Sequence, residues 1–291
     1  MSLLEALQQN PVLFFILIGV TGLLVGSFLN VVILRLPRML ERDWRRECLE
    51  FLDQPTDEAD GERLDLVYPP STCPRCGHKI RPWENIPILS YLFLRGRCSA
   101  CGTRISPRYP LIEGLTAVTS LCVAWRFGAD IQTLWGLVFT WGLIALTFID
   151  FDHQLLPDNL TLPLLWLGLV LSLFEIFTDP PTAIMGAAAG YGLLWSVYQL
   201  FRLVTGKEGM GYGDFKLLSA AGAWLGWQML PLMILLSSLA GAVIGVGLTF
   251  ILGRDKNIPM PFGPYLAIAA WIALLWGKDL NRLYFQLSGI G

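Results

Sequence analysis

The stretch LLSAAGAWLGWQMLPLMILLSSLAGAVIGVGLTFILG, residues 217–253, runs for 37 positions without an Asp, Glu, Lys or Arg. A water-soluble helix keeps a polar face, and this segment has none. About 20 apolar residues suffice to cross roughly 30 Å of hydrocarbon, so the run is too long for one crossing. Pro231 falls inside it, which divides it into two. Working outward, residues 6–34, 131–149, 159–174, 180–201 and 257–277 are equally free of charge, and 109–127 is apolar around a single Glu113. The sum is eight candidate spans. The expected fold is an all-α polytopic membrane protein with about eight transmembrane helices. Composition agrees: 54% of the chain is hydrophobic and 15% charged, against about 25% charged in soluble domains. Mean hydropathy is +0.55. The net charge of −2 decides nothing about partners, because in such a chain the location of charge matters.

Residues 1–10 hold Glu5 and no Lys or Arg, so the basic start of a cleavable signal is missing and the first span is read as permanent. The one long polar segment, 35–108, carries 13 of the 21 Lys and Arg residues. The positive-inside rule places it in the cytoplasm. Eight spans then put both termini outside. Arg202, Lys207, Lys216, Arg254 and Lys256 join the inside, while Arg126, Lys278 and Arg282 fall outside. The chain is therefore expected to comprise a first transmembrane helix (1–36), a cytoplasmic insert (37–108) and a membrane bundle (109–291). Small residues four apart, Gly186 and Gly190, Gly222 and Gly226, Gly241 and Gly245, read as sites of close helix approach.

Within the insert, residues 37–70 are charged and helix-prone, and 54–65 are acidic and poor in apolar side chains, which predicts a loop. Further on, Cys73-Pro-Arg-Cys76-Gly77 is answered by Cys98-Ser-Ala-Cys101-Gly102. Two Cys-x-x-Cys pairs at this separation resemble a zinc ribbon: four thiolates satisfy tetrahedral Zn2+, and each Gly permits a tight knuckle turn. The competing reading, two disulfides, is disfavoured in a reducing compartment. Four cysteines suffice, so His78 is left out, and Cys48 and Cys122 are ordinary thiols. A four-thiolate site is closed and hence structural; its metal orders a small domain with little core. Some zinc ribbons bind nucleic acid, but an insert in a membrane protein is expected to bind none.

Ionisable residues at or within spans are costly and point to function. Asp150, Asp152 and Asp158 follow the third span in Asp150-Phe-Asp-His-Gln-Leu-Leu-Pro-Asp158, and Asp214 opens the sixth in Gly209-Met-Gly-Tyr-Gly-Asp214. Two carboxylates at equal depth on neighbouring helices can share a proton and a water, one as base and one as acid, as in aspartic proteases. Gly211 and Gly213 leave the backbone open to an approaching peptide. Blander readings stand beside this. Asp158, after Pro157, suits a helix N-cap. Asp152 and His153 suit solvent, Glu113 an interfacial anchor, and Glu175 the opposite face. A proton or ion pathway would use such aspartates nearly as well, although no internal repeat supports a transporter. A tethered zinc-ribbon adaptor would leave Asp214 idle.

Gly211-Tyr-Gly213-Asp214 resembles the Gly-x-Gly-Asp motif of intramembrane aspartyl proteases. Its setting, Lys207 to Lys216, resembles the bifunctional prepilin leader peptidases of type IV pilus and type II secretion systems. So do Gly26-Ser-Phe-Leu-Asn30, the paired cysteines, Ile149-Asp150 and Leu156-Pro157-Asp158, and the likeness runs nearly end to end. The resemblance implies Asp150 and Asp214 as the catalytic pair, with Gly211, Gly213 and Lys216 supporting the loop. It selects Asp150 over Asp152, which the residues alone leave open. It implies cleavage of the basic leader of prepilins and pseudopilins after a Gly at the cytoplasmic face of the bacterial inner membrane. N-methylation of the new terminus with S-adenosylmethionine is implied to follow. No Gly-rich strand–turn–helix pattern marks a site for that cofactor. Arg95-Gly96-Arg97, beside the second cysteine pair, is the candidate contact, with Gly96 as a simple turn the alternative.

Overall fold

The computed structural model describes residues 7–55, 63–252 and 260–288. Glu5, Arg254, Lys256 and residues 56–62 of the acidic segment lie outside them. Among the described residues there are eight long helices and no strand: α1 Pro11–Phe51, α2 Arg108–Phe127, α3 Ile131–His153, α4 Asp158–Ser172, α5 Pro180–Thr205, α6 Tyr212–Leu225, α7 Leu230–Leu252 and α8 Gly263–Ser288. Three stretches, Pro11–Phe51, Ile131–His153 and Trp227–Gly247, are long and apolar enough by themselves to cross a bilayer. The uncharged run 217–253 does divide. α6 stops at Gly226, whose φ of 86° suits glycine, and α7 restarts at Leu230 with Pro231 in its first turn. There the ring costs no hydrogen bond, because the first N–H groups of a helix have no partner within it.

The chain folds as two compact units, Met1–Asp130 and Ile131–Gly291. The first helix does not end at residue 36; it continues through Pro37 to Phe51. A proline removes one intrahelical bond, and the Leu-, Glu- and Arg-rich residues 39–50 favour helix strongly enough to carry the chain past it. The segment from 109 belongs with α1 rather than with the later bundle.

In the first unit α1 and α2 run antiparallel at close range. A Cβ on Gly22 would lie 2.8 Å from Ala117 Cα, and one on Gly26 would lie 2.7 Å from Glu113 Cα. One step further on, Asn30 Nδ2 donates to the Tyr109 carbonyl and to the Gly26 carbonyl, both at 3.2 Å. The Gly26-to-Asn30 motif is thus a packing seam. Glu113 is buried and accepts the Ile88 N–H at 2.8 Å, tying the insert to α2. It is a structural anchor.

In the second unit α6 is the centre, packed by α4, α5 and α8. Its buried residues include Asp214, Phe215 and the whole run Leu217–Trp224, so it presents no wet or lipid face over that length. Small residues make this possible: Cβ atoms on Gly186 and Gly222 would each collide with the other's carbonyl. Trp224 stacks on Phe139 with centroids 4.7 Å apart and donates to the Leu164 carbonyl at 2.7 Å. α6 has 14 residues. At 1.5 Å per residue it is about 21 Å long, well short of a bilayer, so its ends are recessed inside the unit.

Candidate active site

Asp150 sits in the last turn of α3 and Asp214 in the first turn of α6, and both are buried. They meet around Leu156 and Gly263. The Gly263 N–H, at the start of α8, donates to Asp150 Oδ2 at 3.0 Å. A Cβ on Gly263 would lie 2.6 Å from that same oxygen and 3.2 Å from Leu156 Cδ1. A Cβ on Gly213, next to Asp214, would lie 2.6 Å from Leu156 Cβ. Glycine is therefore required on both sides of Leu156 for the two carboxylates to converge.

The two carboxylates differ in their support. The Asp214 backbone N–H donates to the Gly211 carbonyl at 3.2 Å, while side-chain Oδ1 is buried and has no hydrogen-bond partner among the described residues. A buried acceptor with nothing to bond is costly, and the donor it calls for is one that a water O–H or a peptide N–H would supply. Gly211 leaves the space in front open: the nearest atom to a Cβ there is Asp214 Oδ2 at 3.8 Å.

Lys216 does not point at the carboxylate pair. Its Nζ bonds both oxygens of Asp158, at 2.6 and 2.8 Å. Asp158 is the first residue of α4 and makes no side-chain capping bond, so the N-cap reading gives way to a clasp between α4 and α6. Its charge still sits favourably at a helix start. Asp152 is exposed. Gly263 was missed in the sequence; its only trace there is a glycine flanked by Pro261, Phe262 and Pro264.

The four cysteines come together in the first unit. Their sulfurs all lie within 4.8 Å of one another, and Cys73 Sγ to Cys101 Sγ is 3.8 Å. Tetrahedral zinc with Zn–S bonds of about 2.3 Å demands sulfur spacings of about 3.8 Å, whereas a disulfide needs about 2.05 Å. All four are free thiols. Each loop is a knuckle. Gly77 and Gly102, at φ of 69° and 71°, donate their N–H to Cys73 and Cys98 carbonyls at 2.9 Å. The N–H groups of Arg75 and Cys76 draw the Cys73 thiol down, and Thr103, 3.3 Å away, holds Cys101 near 6. The His78 N–H pulls Cys76 down, but desolvation and the three neighbouring sulfurs together push it up to about 12. Four crowded thiols resist ionising together without a cation, so the donor set fits a divalent metal. His78 is outside it, bonded instead to Glu84 at 3.2 Å and close to Ser99.

Gly96 is buried at φ 64°, with its missing Cβ facing the Tyr91 ring at 2.9 Å. It forms one wall of a cavity of about 600 Å³ lined by Arg95, Arg97 and Arg104 and by no carboxylate. S-adenosylmethionine carries a sulfonium and an ammonium against one carboxylate. As a net cation it finds no counter-charge here, and the cavity does not fit it.

A helical membrane bundle that brings two aspartates to a dry point, one with a bare oxygen, has the parts of an intramembrane aspartic hydrolase. Comparison with known proteins narrows that class. Residues 20–127 match the bacterial peptidase A24 N-terminal domain, and residues 137–246 match the type IV leader peptidase family. The chain is similar to the prepilin leader peptidase/N-methyltransferase of Pseudomonas putida, at 57% identity over 99% of this chain and 100% of that protein. It is 56% identical to the protein of that name from Pseudomonas aeruginosa strain PAO1, over 99% of each chain. It is 48% identical to that of Dichelobacter nodosus, over 97% of this chain and 98% of that protein. No solved structure matches significantly. The chain belongs to the type IV leader peptidase family.

Proposed function

We infer that this protein cleaves the basic leader from type IV prepilins and pseudopilins after a glycine, and then N-methylates the exposed terminus with S-adenosylmethionine. The observation that carries the peptidase reading is the convergence of Asp150 and Asp214 around Leu156, with Asp214 Oδ1 buried and unbonded. One carboxylate takes a proton from water as its oxygen attacks the scissile carbonyl carbon. The other, as the acid, protonates the carbonyl oxygen. Collapse of the tetrahedral intermediate breaks the C–N bond, and the proton passes to the departing amine. Gly263 orients Asp150 through its N–H, and Gly211 keeps the approach free of side chains. S-adenosylmethionine supplies an electrophilic methyl group for the amine released by cleavage.

Cys73, Cys76, Cys98 and Cys101 would hold one structural Zn2+. The protein resides in the bacterial inner membrane, with the insert and the aspartates on the cytoplasmic side. That placement is supported by the eighteen basic residues on one side of the eight-span topology against three on the other. Asp150→Asn and Asp214→Asn are each expected to abolish cleavage, at least about a thousandfold, while the protein still inserts and binds metal. Mass spectrometry of a prepilin incubated with the membrane protein, with and without S-adenosylmethionine, reads both steps. Near-normal cleavage by either variant would remove that aspartate from the mechanism.

A further inference from the structure

The Gly96 cavity is rejected as a cation site by its own charge, and that charge indicates what it does hold. Arg95, Arg97 and Arg104 line it, and none of the three guanidinium groups makes an ion pair or hydrogen bond among the described residues. The start of α2, a 20-residue helix without a side-chain cap, forms another edge through Ser106 and Pro107. Its first N–H groups are taken up locally, that of Arg108 by Ser106 Oγ at 3.3 Å and those of Tyr109 and Leu111 by the Ser106 and Pro107 carbonyls, so it is the helix dipole alone that adds to the positive potential.

The depth of the cavity follows from the α1–α2 seam. Residues 22, 26 and 30 face 117, 113 and 109 in turn. There the seam ends, because α2 begins at Arg108, with Ser106 and Pro107 just before it. The uncharged run of α1 ends at residue 34 and Arg35 follows. The cavity, which includes Ser106 and Pro107, therefore lies at the end of the α1–α2 pair where the uncharged run of α1 stops. Arg35 is already engaged there, bonding the Asp65 and Pro69 carbonyls at 3.0 and 2.7 Å.

Beside the arginines stands an apolar ridge. The short helix Leu89–Phe93 leaves Leu92 64% and Phe93 86% exposed. Large apolar groups held in water next to unpaired cations are the two halves of an interfacial anchor. A free phosphate would use only the cations.

We propose that the Arg95–Arg97–Arg104 cavity binds the headgroup phosphodiester of an anionic phospholipid, with Leu92 and Phe93 entering its acyl region. The lipid fixes the insert against the membrane surface, independently of peptide cleavage.

The test is direct binding to the full-length, metal-loaded protein in neutral detergent, followed by native mass spectrometry. The probes are dihexanoyl phosphatidylglycerol, dihexanoyl phosphatidylcholine, inorganic phosphate and S-adenosylmethionine. Phosphatidylglycerol is expected to bind at least about tenfold more tightly than phosphatidylcholine, and R95Q/R97Q/R104Q to erase the difference. The triple lysine variant keeps most of the preference, and Phe93→Asp weakens phosphatidylglycerol alone. On the unaltered protein, a photoactivatable phosphatidylglycerol labels residues within 92–107. Equal binding of the two lipids, an unchanged preference in the glutamine variant, or labelling elsewhere would overturn the proposal. So would displacement of the lipid by equimolar phosphate or S-adenosylmethionine.

Discussion

At the residue scale the site depends on two missing side chains. Gly263 is needed for space as well as for its N–H: a methyl group there would occupy a point 2.6 Å from Asp150 Oδ2. Gly263→Ala is therefore expected to displace the carboxylate and lower kcat about a hundredfold or more, since sub-ångström misplacement of a reacting group costs on that scale. Gly211→Ala meets nothing nearer than 3.8 Å. It should leave thermal stability unchanged and act, if at all, on KM. The two variants compared for cleavage rate and unfolding temperature separate orientation from access. Equal kcat for Gly263→Ala and the parent would show that Asp150 needs no such support. How much of this was legible differs by residue. Asp214 was legible because its glycines lie beside it in the chain. Asp150 was chosen over Asp152 only by resemblance; the structure separates them by burial, with Asp150 5% exposed and Asp152 open to solvent. Gly263 was illegible because its partner lies 113 positions away, and an absent side chain leaves no pattern of its own.

At the scale of elements, the clasp between Asp158 and Lys216 sets α4 against α6 two residues from Asp214, the proposed partner of Asp150. The pair is partly exposed, with 28% of the lysine and 51% of the aspartate side chain open, so its coupling energy should be only about 0.5–1 kcal/mol despite good geometry. A double-mutant cycle on Asp158→Asn and Lys216→Met, read by thermal unfolding, should return that value; a coupling near zero would leave the pair ornamental. The four-cysteine module obeys a different balance. Glu84 is held at about 2, first by the Arg81 N–H and then by Ser99 and His78. Its folded value is depressed, so its contribution is complete above about 4.5 and fades as pH falls through 2. Metal ligation fails sooner, because every thiolate must shed its metal to take up a proton. Lowering pH from 7 to 4 is expected to release one Zn2+ per chain and raise amide exchange across 72–105 while the Glu84 contacts persist. A chromogenic chelator and hydrogen-exchange mass spectrometry measure the two. Retention of the metal at pH 4 would contradict a four-thiolate site.

At the scale of the whole molecule, helix count and helix length pull in different directions. Eight long helices agree with eight uncharged or nearly uncharged runs, because lipid forbids unpaired backbone and so writes each crossing into composition. Length was less legible. α4 and α6, at 15 and 14 residues, reach only about 22 and 21 Å, yet the uncharged runs that hold them, 159–174 and 217–253, read in the sequence as crossings. The reason lies in burial: α6 is enclosed by protein, so recessed ends such as that at Asp214 face side chains rather than lipid. Such short helices still count as crossings if the loops at their two ends reach opposite faces, and the basic residues say that they do. Arg202, Lys207 and Lys216 gather on one side of α6, whereas no Lys or Arg lies between 217 and 253. A reporter active only in the cytoplasm should therefore be active when fused within 56–62 or after Thr205 and inactive when fused at Gly226 or the C-terminus. Activity at Gly226 would mean that α6 re-enters instead of crossing.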